Sequence, residues 1–167
     1  MTFLELNNLS QDQLKEELQK CCGSSTWINN MTKLHPFTSE DQLFNMAERL
    51  WHECNEEDWK EAFEHHPKLG DLESLKAKYA NTKDWANDEQ AAAKESSPEV
   101  LEELANANKI YEERFGFIYI LFATGKTAKV ILSILRIRLN NDLATELIMS
   151  MVEQNKITKL RLEKLLS

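Results

Sequence analysis

The sequence predicts an all-α fold: one domain over residues 1–167, a compact multi-helix bundle of about eight to ten helices. Three observations carry that expectation. Apolar residues recur at three- and four-residue spacing over most of the chain. Start signals of the capping type precede these runs. Only four glycines and three prolines occur in 167 residues, so nothing resembles an interdomain linker, and there is no internal repeat.

The elements follow in order. Ser10 and Gln13 have capping-box spacing and lead into Leu14 and Leu18, and the helix they start stops near Gly23. A short helix with Trp27, Met31 and Leu34 comes next. Ser39 and Gln42 repeat the capping spacing before a longer helix from Glu40, with Leu43, Met46, Ala47, Leu50, Trp51 and Cys54 on one face. The stretch EAFEHHPKLGDL then sets His66 directly before Pro67. Proline lacks an N–H and pushes its predecessor out of the α region, so the helix carrying Trp59, Ala62 and Phe63 should stop at about His65. A histidine at such a corner either merely terminates a helix or points across a cleft as a proton-exchanging group.

Beyond the corner, Gly70 and Asp71 mark a restart, and Leu72, Leu75 and Tyr79 space the next helix. A shorter helix is predicted near Asp88 to Lys94. Ser97, Pro98 and Glu99 open a long one to about Phe115. FGFIYILFATG, Phe115 to Gly125, breaks the pattern: it is continuously apolar, with neither helical spacing nor strict alternation. It reads as a buried connection that Gly116 allows to leave the preceding helix, or else as a fully buried helical turn. In the first case its N–H and C=O groups need partners, some of which a polar ligand could supply. Three last helices are expected, Thr127 to Leu139, Asp142 to Gln154 and Lys156 to Leu166. In the final one Ile157, Leu160 and Leu165 form the apolar stripe, and Arg161 lies four residues from both Ile157 and Leu165. An arginine there either snorkels to water or meets an anion.

Composition narrows the function classes. An apolar content of 42% with a net charge of −8 describes a soluble acidic globule and argues against nucleic-acid binding. No apolar run approaches the roughly 20 residues that span a bilayer. MTFLELNNLSQDQ lacks a secretory signal, and EKLLS is not the peroxisomal address. Cys21, Cys22 and Cys54 form neither a metal-ligand spacing nor an even disulfide set, so a reducing compartment, the cytoplasm, is expected. A metal site built from His52, His65 and His66 is disfavoured, because adjacent residues diverge on a helix. His65 and His35 are read as structural.

His66-Pro67, Glu89-Gln90 in WANDEQAAA, the FGF segment and Arg161 occur in this order in a small helical chain. Together with CCGSSTW, HPF, HHPKLGD, YEERFGFIYI and the LRIRLNNDLATEL to KLRL tail, they resemble the family of 2-oxo-4-hydroxy-4-carboxy-5-ureidoimidazoline (OHCU) decarboxylases of urate breakdown, over nearly the whole chain. The resemblance implies an all-α homodimer that works without a cofactor or metal and converts OHCU to (S)-allantoin with release of carbon dioxide. By matching position, His66 is similar to the family's catalytic proton donor, and Glu89 and Arg161 to its other two charged active-site residues. Pro67, Ala86, Asn87, Asp88, Glu89, Gln90, Tyr119, Ile120, Leu121, Phe122 and Ala123 match its substrate-binding positions. Ala86 stands where the family often has serine, and Ile118 where it usually has proline. The competing expectation is a helical ligand-binding or scaffold protein that keeps the fold without catalysis; retention of all three charged residues favours the enzyme.

Overall fold

The structure, a computed structural model, describes residues 1–67, 72–80 and 96–167, the side chains of 78–80 apart; the helix expected near Asp88 to Lys94 and the stretch Ala86 to Gln90 lie outside them. The described residues form nine helices and no strand, which agrees with the all-α expectation: α1 (Phe3–Asn7), α2 (Gln11–Cys21), α3 (Ser25–Lys33), α4 (Glu40–Glu53), α5 (Glu56–Glu64), α6 (Leu72–Ala80), α7 (Pro98–Phe115), α8 (Ala128–Arg138) and α9 (Leu143–Leu165). None of them is long and apolar enough to cross a membrane.

The helix starts are where the cap signals put them. At α2 both halves of the box are made: the Gln13 N–H donates to Ser10 Oγ at 3.3 Å and the Ser10 N–H to Gln13 Oε1 at 3.0 Å. The Ser39 box is half made. Ser39 Oγ accepts from the Gln42 N–H at 3.1 Å, but Gln42 Oε1 reaches one residue further back, to the Thr38 N–H at 2.7 Å. Either way orphan donors of the first turn are satisfied, worth about 1 kcal/mol per cap. Ser97 caps α7 with Pro98 in its first turn. Helix α5 ends one residue before His65, as the His66-Pro67 pair requires.

Two expectations at the C-terminal end are corrected. Asp142 to Gln154 and Lys156 to Leu166 are not separate helices; α9 runs unbroken for 23 residues. Asn155 is a weak helix former, but without a glycine or proline nearby its cost of well under 1 kcal/mol does not stop propagation. Nor is the buried face centred on Ile157, Leu160 and Leu165, which are half-buried; it runs through Leu147, Met151, Gln154, Thr158 and Leu162.

The contacts group the chain into two units, residues 1–66 with 151–167, and residues 67–150. The first has a tryptophan-rich core in which each indole finds a carbonyl: Trp27 Nε1 donates to Ala47 O (2.9 Å), Trp51 Nε1 to Met151 O (2.9 Å) and Trp59 Nε1 to Trp51 O (3.0 Å). Large aromatic area is thereby buried without stranding the N–H that comes with it. In the second, Leu75 of α6, Leu101, Leu104, Ala105 and Ala107 of α7 and Ala128, Ile131, Leu132 and Leu135 of α8 form the core.

The apolar FGFIYILFATG segment belongs to the second unit and is a connection, not a helical turn, but it is buried only in part, Ile118, Tyr119 and Leu121 to Ala123 being half-buried. Gly116 closes α7 at φ 79°, ψ 6°, the left-handed conformation that costs glycine no Cβ clash. Beyond it Phe117 and Ile120 are buried in nonhelical backbone.

Candidate active site

His66 follows directly on the C-cap of α5, where its N–H donates to Phe63 O at 3.2 Å. The half-buried imidazole is directed to α9: its Nε2 hydrogen-bonds Oε1 of Gln154, a side chain with no solvent exposure. The other end of that amide is also held, Gln154 Nε2 donating to Thr158 Oγ1 at 3.1 Å, one helical turn on. The buried Cys22 thiol is near Thr158, and burial pushes it up to about 12, so the sulfur is a neutral neighbour at physiological pH. His66 thus belongs to a polar line, His66 to Gln154 to Thr158, running through an apolar core.

The neighbouring CCG stretch supports the corner sterically. A Cβ on Gly23 would lie 2.3 Å from Cγ and 2.6 Å from Cβ of His65. Contacts that close cannot be relieved by swinging a side-chain tip, so Gly23→Ala must displace the residue next to His66. It is expected to cost about 1–3 kcal/mol in chemical denaturation and to shift the His65 and His66 ring resonances in NMR spectra. An unchanged midpoint would mean that the corner is softer than this packing indicates.

His52 and His35 have separate partners. His52 Nδ1 hydrogen-bonds Glu48 O one turn back (2.8 Å), and His35 Nε2 lies 3.3 Å from Leu6 O, after which the chain passes through a cis peptide to Pro36. These contacts give His35 the structural role expected of it.

Arg161 is half-buried on α9, and neither sequence reading describes its contact fully. Its Nη1 points to the last carbonyls of α2, Lys20 O at 3.4 Å and Cys21 O at 3.3 Å. A helix C-terminus carries partial negative charge, so the guanidinium here caps a dipole. Gln154, Thr158 and Arg161, at i, i+4 and i+7, share one side of one helix.

In the second unit, the stretch Tyr119 to Ala123 is fastened from within. Arg138 Nη1 donates to Ile120 O at 2.5 Å, Lys126 Nζ to Phe122 O at 2.9 Å and the Lys126 N–H to Ala123 O at 3.0 Å. Arg138 is only 1% exposed, and sequence analysis passed over it. Its Nε donates to Glu146 Oε1 at 2.5 Å, its Nη2 forms an ion pair with the same oxygen and reaches Ser150 Oγ at 3.0 Å, and its guanidinium stacks 4.8 Å over the Tyr119 ring. Tyr111 OH donates to Glu146 Oε1 at 2.5 Å. Burial opposes the arginine charge most, but the bond to Glu146 and the electrostatic pull of Tyr111, Glu146 and Tyr119 together outweigh it, and Arg138 is raised above its ordinary range. Burial, then the same carboxylate, raises Tyr111 as well, so its hydroxyl stays a donor.

Residues 7–163 match the sequence profile of the OHCU decarboxylase family. The chain belongs to that family. It is similar to a protein of Arabidopsis thaliana named uric acid degradation bifunctional protein TTL, 34% identical over 153 residues, which are 92% of this chain and 47% of that one. The chain therefore spans about half the length of this bifunctional relative. A 2-oxo-4-hydroxy-4-carboxy-5-ureidoimidazoline decarboxylase of Haloferax volcanii is 24% identical over 97% of this chain and 94% of its own. Among solved structures, an OHCU decarboxylase crystallised in the presence of (S)-allantoin superposes with a TM-score of 0.72 at 35% identity, covering 90% of this chain and 96% of that one.

His66, Arg161 and Tyr119 to Ala123 of this OHCU decarboxylase family member are therefore described, and Pro67 is exposed beside His66. Glu89 and the rest of Ala86 to Gln90 lie outside the described residues. Three polar residues at core positions were not legible in the sequence. Gln154 and Thr158 interrupt an apolar stripe, a signal visible only when 143–165 is read as one helix. Arg138 sits at i+7 from Ile131 and i+3 from Leu135 on the core face of α8, the same anomaly that drew attention to Arg161.

Proposed function

We propose that this chain is a cofactor-independent carboxy-lyase that converts OHCU to (S)-allantoin and carbon dioxide in urate catabolism, acting as a cytoplasmic homodimer of single-domain subunits without nucleic-acid partners. The observation that carries this reading is the 35% identity, across 90% of the chain, to an OHCU decarboxylase crystallised in the presence of (S)-allantoin. The chemistry is consistent with the residue types. Loss of carbon dioxide leaves an electron pair at a carbon conjugated with the imidazoline ring, so the protein has to hold the substrate and govern protons. His66 assists proton movement from the substrate hydroxyl and delivers a proton to one face of the carbanion-like intermediate, a contribution of about 10²- to 10⁴-fold. Arg161 offers planar donors to carboxylate or carbonyl oxygens. Glu89 accepts from ureido or ring N–H groups. Pro67, Ala86, Asn87, Asp88, Gln90 and the backbone from Tyr119 to Ala123 line the substrate.

Freshly generated OHCU, followed by the circular dichroism of allantoin as it forms, tests this directly. OHCU decays spontaneously, so the protein must produce a rate above that of the buffer alone, and only the S enantiomer. A rate equal to the control would leave a helical binding protein in place of an enzyme. Exhaustive chelation is expected to leave the rate unchanged; activity lost to chelator and restored only by zinc or manganese would contradict the proposed mechanism.

Arg161→Met separates substrate holding from dipole capping. A flexible apolar chain fills much of the arginine's volume, and losing the two long bonds to α2 should cost only about 1 kcal/mol. Catalysis is expected to fall strongly in a protein that remains folded. Wild-type turnover in that variant would reduce Arg161 to the cap of α2.

A further inference from the structure

We infer that Gln154, oriented by Thr158, is a positioning residue that fixes His66 as the Nε2–H tautomer, so that Nδ1 is the nitrogen through which the ring exchanges protons. The inference deepens the proposed catalytic role of His66 and rests on that role only for its consequence, not for the tautomer itself.

The amide of Gln154 has two chemically different ends, and its surroundings distinguish them. Nε2, which can only donate, lies 3.1 Å from Thr158 Oγ1. The Thr158 hydroxyl oxygen, 2% exposed with its residue, accepts that bond with a lone pair. Oε1, which can only accept, faces His66 Nε2. An acceptor opposite a ring nitrogen selects the tautomer with the proton on that nitrogen. The alternative tautomer would set a lone pair on Nε2 against a carbonyl oxygen, in a place where Gln154 and Thr158 are 0% and 2% exposed and water cannot easily mediate.

The unbroken course of α9 makes this fixture rigid. Were the helix interrupted at Asn155, Gln154 would be a fraying last residue and Thr158 would belong to another element. In one helix the two side chains have a set register, with Arg161 about 4.5 Å further along the axis than Thr158. Gln154 is also buried alongside core residues of its own unit, Met151 and Leu162. A polar side chain placed there loses hydration, and its hydrogen bonds to His66 and Thr158 offset that loss.

Proton-detected two-bond correlation of the imidazole nitrogens in ¹⁵N-histidine-labelled protein tests the inference without reference to turnover. The four histidines are resolved by the signals missing from His66→Gln. At a pH where the ring is neutral, His66 should show a protonated-type Nε2 shift and a lone-pair-type Nδ1 shift. Gln154→Glu keeps an acceptor at the same place and should keep that pattern. Gln154→Leu should give averaged shifts of a tautomer mixture, with kcat down by about tenfold or more and KM little changed. Thr158→Val, which removes the partner that orients the amide, should show the same averaging in milder form and serves in place of Gln154→Leu if that variant does not fold. An Nδ1–H pattern in the wild-type protein, or an Nε2–H pattern that persists unchanged in the leucine and valine variants, would overturn the inference. The two readings fail separately: a fully active His66→Gln would remove the catalytic role of His66, whereas the tautomer is read from the spectrum alone.

Discussion

His66→Gln is expected to slow formation of (S)-allantoin by about 10²-fold or more while the protein stays folded, as read by the allantoin dichroism and a thermal melt. Glutamine is close in reach and can still donate to Gln154 Oε1, so the polar line through α9 retains a partner at its end. What it cannot do is gain or lose a proton near neutral pH. The matched control is His35→Gln. His35 also precedes a proline, but its Nε2 meets a backbone carbonyl, Leu6 O, at 3.3 Å, a bond worth about 1 kcal/mol and remote in role from any acid-base step. That variant should be nearly silent in activity. Equal losses in both, or full activity in His66→Gln, would remove proton transfer at residue 66 from the mechanism.

The contrast between these two histidines illustrates what sequence could and could not provide. Both histidines precede a proline, and the helix stop expected from His66-Pro67 is found at Glu64, because the steric conflict between a proline ring and its predecessor is local. Their different partners are not local. Leu6 is 29 residues from His35 and Gln154 is 88 from His66. Helix starts were legible for the same reason as that stop: a serine oxygen and an N–H three residues on need nothing beyond the segment itself. Ser39 shows the limit of that legibility, since a glutamine side chain is long enough to choose between the N–H of Ser39 and that of Thr38.

The break expected near Asn155 was an error of a different kind. The apolar pattern dips there because Gln154 and Thr158 stand at core positions, and a polar core residue is indistinguishable from a surface one when hydrophobicity is the only signal. Both residues are buried because each is hydrogen-bonded, Thr158 to Gln154 and Gln154 on to His66, and a partner as distant in sequence as His66 is found only by folding. The partly buried connection after Gly116 depended on tertiary structure in the same way. Its backbone need for partners was readable from the run FGFIYILF; that an arginine 18 residues later would supply one to Ile120 was not.

That arginine carries the largest expected effect on stability. Arg138→Met should destabilise the protein by about 3–5 kcal/mol in urea titration, because it leaves the Glu146 carboxylate in the core without its cation. Glu146 has no solvent exposure, and its remaining partners are the Tyr111 hydroxyl and the Asn141 amide, which donate hydrogen bonds but no charge. The double variant Arg138→Met/Glu146→Leu removes both charges and should recover much of that loss, since apolar replacements of a buried pair are often close to neutral. A coupling energy of about 1–3 kcal/mol between the two sites is therefore expected from the double-mutant cycle. Activity should not recover with stability. The carbonyl of Ile120 still lacks the donor that held it at 2.5 Å, and the stretch from Tyr119 to Ala123, proposed to grip the substrate, loses the cation stacked 4.8 Å over Tyr119 as well. A double variant that regains both stability and wild-type turnover would mean that Arg138 serves the core alone, whereas regained stability with impaired turnover makes it the strut behind the backbone proposed to bind substrate.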